Sequence, residues 1–208
     1  MSGRATRIAL GAFLALAFAL PYLAMAGNGT NGWTQERERE RKGFTIWSRP
    51  VSGSDYPEYM VELQVDAPAE AVWAVLNDYE HEVMPRVEER RVIDRTGGGV
   101  LIYQRDDCDP YLPREYALRF QVASDTEPYE LRAELATDAS PPVSEDTVQV
   151  LQHRHRWTVR ADGDRSVAVL IVHHDPIDIP FALYHKGFLG SMKSLRKALE
   201  RAARGRDD

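Results

Sequence analysis

The sequence predicts an α+β fold in which a curved antiparallel β-sheet closes around one long C-terminal α-helix. Three observations predict it: a final amphipathic segment of helical period, a period-two pattern through most of the second half, and a single helix between the first strands and that meander. In the final segment, residues 179–203, Phe181, Tyr184, Phe188, Met192, Leu195 and Leu199 recur at steps of three and four. They form one stripe of a helix of about seven turns. Lys193, Arg196, Lys197, Glu200, Arg201 and Arg204 fall mostly on the other side, and basic residues suit a helix C-terminus. Gly187 and Gly190 interrupt the first half and predict a bend or a close approach there.

At the start, Arg4 and Arg7 precede an uncharged run over residues 8–26, and Ala24-Met25-Ala26 is followed by Gly27. A basic opening, a short apolar core and small residues at minus three and minus one predict a signal peptide at 1–26. Cleavage gives a secreted or periplasmic domain. Left uncleaved, the same run is a membrane anchor, since its length is near the minimum for a span. Without it the chain carries 24 basic against 32 acidic side chains, a formal charge of −8. That balance argues against a nucleic-acid partner. Cys108 is the sole cysteine, so no disulfide forms within the chain. Asp106, Asp107 and Asp109 around it argue against a reactive thiol.

Residues 27–43 are polar and rich in Glu and Arg, and read as an exposed helix or a disordered leader. Asn28-Gly29-Thr30 matches the glycosylation triplet. The domain proper is predicted at 44–204, with a short tail at 205–208. A strand over 44–49 and a turn-rich loop over 51–57 lead to Tyr59, Val61, Leu63 and Val65, which alternate as a half-buried strand does. Asp66 or Ala67 then caps a helix that tolerates Pro68 early and buries Val72, Val75, Leu76 and Tyr79. Strands follow at 86–94, 100–106, 116–123, 129–135, 148–160 and 166–174, separated by turn residues such as Gly97-Gly98-Gly99 and Asp162-Gly163.

Several stretches resemble a known superfamily. Val65-Asp66-Ala67-Pro68-Ala69-Glu70-Ala71-Val72-Trp73-Ala74-Val75-Leu76-Asn77-Asp78-Tyr79, followed by Met84-Pro85-Arg86-Val87, is similar to the opening of the START and Bet v 1-like (SRPBCC) superfamily. Pro113-Arg114-Glu115-Tyr116, and Asp175-Pro176 with Ile179-Pro180 before the last helix, resemble its START branch. The resemblance implies a helix-grip fold enclosing a tunnel for a lipid or other hydrophobic molecule. Because one fold serves many functions, it does not choose among the superfamily's carriers, cyclases and hydrolases.

The residues make their own case for a tunnel. Tyr116, Leu118, Phe120 and Leu131 are expected on the inward faces of their strands. Phe181, Tyr184, Phe188 and Met192 face the sheet from the helix. If odd-numbered residues of 151–159 point inward with Trp157, a hairpin centred on Gly163 places Val167, Val169 and Ile171 beside them. His153 is then opposite His173, His155 opposite Ile171, and His153, His155 and His173 share the inner face. Three imidazoles there read either as a metal site or general base, or as groups that orient a ligand's polar head or bond to buried partners. No catalytic residue and no cofactor is assigned. Glu89, Arg91 and Arg105 are weighed between the tunnel and a solvated face, and the solvated face is favoured.

Three function classes follow: an exported protein that binds and carries a hydrophobic small molecule or lipid with transient membrane contact, an enzyme of the cyclase or hydrolase kind using the histidines, and an interaction module with a collapsed pocket. The carrier is the leading reading, because no nucleophile elbow, HExxH or phosphate loop is present.

Overall fold

The computed structural model describes residues 32–39, 42–80, 83–84, 86–97, 99–139 and 145–205. The expected signal segment at 1–26, the Asn28 triplet, residues 140–144 of the loop after the seventh strand, and 206–208 lie outside them. The first strand, β1 (Thr34–Arg39), falls inside the stretch expected to be a helix or leader. It pairs antiparallel with β2 (Phe44–Arg49), so the folded unit begins earlier than 44. Its six residues are all polar, so no apolar alternation announces it; backbone pairing, Ser48 Oγ donating to Glu36 (2.5 Å) and Arg37 donating to the Leu189 carbonyl (3.1 Å) hold it.

Strand β3 (Glu58–Val65) buries Tyr59, Val61, Leu63 and Val65 completely, as their alternation predicts. The short helix α1 (Ala69–Leu76) follows, with Pro68 at its N-cap where a missing N–H costs nothing. The meander then runs β4 (Val87–Thr96), β5 (Gly99–Asp106), β6 (Arg114–Ser124), β7 (Tyr129–Leu135), β8 (Val148–Gln149), β9 (Gln152–Asp162) and β10 (Arg165–Asp175). Helix α2 (Phe181–Arg204) closes the chain. The stretch expected as one strand over 148–160 is therefore two: β8 pairs in parallel with the start of β6, and β9 joins the main sheet.

Spatial order is β1-β2-β3-β10-β9-β7-β6-β5-β4, antiparallel throughout apart from β8. Gly99, at φ +138°, makes the tight return into β5, where a Cβ would stand 2.1 Å from the Phe120 carbonyl oxygen. Only glycine fits there. One face of the sheet packs on the helices: Met192, Leu195, Leu199 and Ala203 of α2 join Val72, Val75 and Leu76 of α1 and the inward strand residues in a single core. Helix α2 is continuous through Gly187 and Gly190, and a Cβ added at either meets nothing within 4 Å, so neither marks the expected close approach. No helix among the described residues is long and apolar enough to cross a membrane.

Candidate functional site

Between the concave face and the first half of α2 lies a cavity of about 570 Å³. Its walls come from both layers. The sheet contributes Tyr116, Leu118, Phe120, Leu131, His153, His155 and Trp157, expected from the strand alternation, and the helix contributes Tyr184 and Phe188, expected from its apolar stripe. Exposed lining residues cluster in two places, Arg86 with Asp107, Asp109 and Pro110 on one side and Leu183 with Gly187 on the other. They mark the mouth.

Four expected lining residues lie elsewhere. Ile171 and His173 are on the opposite face of β10, because the β9–β10 hairpin turns on two residues, Gly163 and Asp164, and pairs Asp162 with Arg165. A loop centred on Gly163 alone would pair odd with odd; the observed turn pairs odd with even. Gly163, at φ +68°, supplies the left-handed first position such turns favour. Opposite His153 stands His174, opposite His155 stands Val172, and opposite Trp157 stands Leu170, and these three line the cavity. Met192 is 1 % exposed in the core below the cavity, and Phe181, at the first turn of α2, is 46 % exposed and packs on His185.

The histidine cluster is therefore His153, His155 and His174. His153 Nδ1 lies 2.8 Å from Nδ1 of His174, and its Nε2 lies 3.0 Å from Nδ1 of His155. The nitrogens point at one another rather than converge on a common centre. Among the described residues no three His, Cys, Asp or Glu are grouped to hold a metal ion, and His173, the third residue of the metal reading, is on the opposite face of β10 from His153 and His155. Burial, aided by neighbouring positive charge, pushes His155 and His174 down to about 3 and His153 well below its usual value. All three rings are neutral at physiological pH.

A second polar group stands beside them. Tyr116, stacked on His153 at 5.2 Å, donates its hydroxyl to Asp106 Oδ2 (2.6 Å), while Gln104 Nε2 donates to Asp106 Oδ1 and to the Tyr116 oxygen (2.8 Å each). Burial raises the Asp106 carboxyl, opposed by these hydrogen bonds and by Arg90. Arg90 is itself lowered to about 10 by burial and lies over the Phe120 ring at 5.1 Å. Sequence reading missed Arg90 because β4 is bulged between Val87 and Glu89 and between Val92 and Asp94, and missed Gln104 and Asp106 because the regular strand β5 is polar at every position from 104 to 106, which leaves no alternation to mark the inward face. The parity change between Val87 and Val92 was the available signal. Glu89 and Arg91 face outward, as favoured, and Arg105 pairs with Glu88 and Glu115 at 2.9 Å each. Cys108 lines the mouth with its thiol raised, first by burial and then by Asp106 and Asp107, against the lowering effect of Arg114 and Arg86.

The mouth is braced by Arg114, 1 % exposed, whose Nε donates to the Pro176 carbonyl at 2.7 Å and whose other nitrogens donate to the Leu112 and Ile177 carbonyls. It ties the loop before β6 to the linker before α2.

The same architecture recurs in solved structures. A STAR-related lipid transfer protein from Xanthomonas axonopodis superposes with a TM-score of 0.68 at 24% identity, over 81% of this chain and 99% of that one. Human StAR-related lipid transfer protein 5 gives 0.71 at 16% identity, over 90% and 94%. A START superfamily protein from Mycobacterium smegmatis gives 0.52 at 13% identity, over 71% and 97%. The chain has the START-like helix-grip fold. No protein-family model matches the sequence, and no curated protein matches it in sequence. For this START-like domain the likeness therefore rests on shape: the long sheet and the closing helix. The expected resemblance through residues 65–79, 113–116 and 175–180 falls on β3 with α1, the opening of β6, and the linker to α2.

Proposed function

We propose that this START-like domain binds one hydrophobic or amphiphilic small molecule in its internal cavity and carries it outside the cytoplasm. The observation that carries the reading is the 570 Å³ space with mainly hydrocarbon and aromatic walls, a volume in the range of sites that take a single small ligand. Burying about 300 Å² of apolar ligand surface at about 25 cal/mol per Å² yields about 7.5 kcal/mol, on the scale of micromolar binding before ordering costs. The lipid-transfer proteins that share the fold support the same class of ligand. The export component rests on the basic, apolar and small-residue order of residues 4–26. Loading from a membrane through the mouth accords with exposed Leu112, Phe181 and Leu183 nearby.

An enzyme of the cyclase or hydrolase kind would draw on the histidines and Tyr116. Imidazoles held at about 3 are poor general bases near neutrality, where a useful base titrates close to the working pH. Positioning a ligand's polar end suits them better.

The test is titration with the neutral apolar dye N-phenyl-1-naphthylamine. The protein should give saturable one-to-one fluorescence enhancement, and Leu170→Trp, which fills the cavity, should weaken it at least tenfold. Absence of saturable binding by the unaltered protein contradicts the reading.

A further inference from the structure

The cavity leaves one set of hydrogen-bonding positions open. Tyr116 is closed, since its hydroxyl donates to Asp106 and its oxygen accepts from Gln104. The imidazole chain is closed only in its middle. His153 uses both ring nitrogens, one toward His174 and one toward His155. Three neutral imidazoles carry three N–H groups between them. Two of those protons fill the two internal hydrogen bonds, and the third sits at one end of the chain, on Nε2 of His155 or Nε2 of His174. The other end is then a bare lone pair. Shifting all three tautomers together exchanges the ends without creating charge. Neither end nitrogen has a hydrogen-bond partner among the described residues, and neither is among the polar atoms sealed away from the cavity.

We infer that the His174–His153–His155 chain is the seat for one uncharged oxygen function, a hydroxyl or a carbonyl, on an otherwise apolar ligand. The inference rests on the ligand-binding reading above and names the class of ligand. A hydroxyl both donates and accepts, so it satisfies either end in either tautomeric state, and a carbonyl takes the N–H end. A carboxylate or phosphate can take the same N–H, but one donor leaves a desolvated charge underpaired, and compensating it with both internal bonds kept calls for a donor at the other end as well. That state requires a proton on His153, the central ring, which is packed between Tyr116, His155 and His174. Its neutral form is further favoured by burial and by the neighbouring imidazoles. An alkylammonium asks for acceptors only, and the neutral chain offers one. The other charged groups facing the cavity do not favour an anion either: Arg86 and Arg90 stand against Asp106, Asp107 and Asp109.

The experiment is displacement of N-phenyl-1-naphthylamine at pH 7 by 1-decanol, decanoate and 1-chlorodecane. Decanol should displace the dye at a concentration at least tenfold below decanoate and no higher than 1-chlorodecane, although the chloride is the more hydrophobic molecule. The triple variant His153→Leu/His155→Leu/His174→Leu, which removes every ring nitrogen of the chain, should weaken decanol about tenfold and leave 1-chlorodecane within twofold. Decanoate binding as well as decanol, or 1-chlorodecane winning tenfold in the unaltered protein, would overturn the assignment while leaving the cavity a binding site. If the substituted protein does not fold, the ligand order in the unaltered protein decides. No dye binding by the unaltered protein defeats the ligand-binding reading, and this inference with it.

Discussion

His155 and His174 contribute to a loss of stability in acid. Their folded values of about 3 lie below the 6.5 of a free imidazole, and His153 is displaced in the same direction. Between those limits the unfolded chain takes up protons that the folded chain refuses, so stability falls as pH drops from about 6.5 toward 3, by about 1.4 kcal/mol per pH unit for each such proton. Asp106 acts in the opposite sense. Its raised carboxyl adds stability at low pH that is lost as pH rises through its folded value, so it offsets part of the loss at the acid end. The midpoint of thermal unfolding should therefore decrease steadily from pH 7 to pH 4, and less steeply in His155→Leu. A midpoint unchanged between pH 7 and 5 would show that the rings are not held neutral. Legibility at this scale was uneven. His153 and His155 were visible as inward residues, but their true partner depended on whether one or two residues made the turn at Gly163. That single choice exchanged His173 and Ile171 for His174 and Val172.

At the level of elements, the linker between β10 and α2 carries the most strain. Ile177 and Asp178 have φ of +49° and +58°, a region unfavourable for side chains and most so for a β-branched one. Two contacts hold Ile177 there: its N–H donates to Asp175 Oδ1 at 3.1 Å, and its carbonyl accepts from Arg114. Arg114→Met keeps the length of the side chain but leaves three carbonyls without this donor, and should destabilise the domain by roughly 3 kcal/mol. It should also speed exchange of bound N-phenyl-1-naphthylamine, because the linker and the loop before β6 border the mouth. Urea unfolding and stopped-flow displacement measure the two effects; a loss below about 1 kcal/mol would show that Arg114 is not the brace. Elements with an apolar pattern were legible: β3, β6, β7 and α2 follow from Tyr59 to Val65, Tyr116 to Phe120, Leu131 with Ala133, and the stripe from Tyr184 to Leu199. Polar β1 was not, and β4 was legible as a strand over 86–94 but not in which residues it turns inward, because pairing and bulges there depend on backbone geometry that the side-chain pattern does not encode.

For the molecule as a whole, the core and the cavity divide helix α2 between them. Its second half, with Met192, Leu195 and Leu199, anchors the grip, while Leu183, Tyr184, Gly187 and Phe188 roof the space. Helix packing alone would favour closing that gap, since empty apolar volume forfeits contact energy. In the proposed function a bound hydrophobic molecule would supply those contacts. The most direct measurement is mass spectrometry of the protein isolated from the cells that make it, under native conditions and again after organic extraction. One hydrophobic passenger per chain is expected, released by extraction and bearing an uncharged oxygen function. Protein that carries no passenger, and takes up none when offered a total lipid extract, would contradict it.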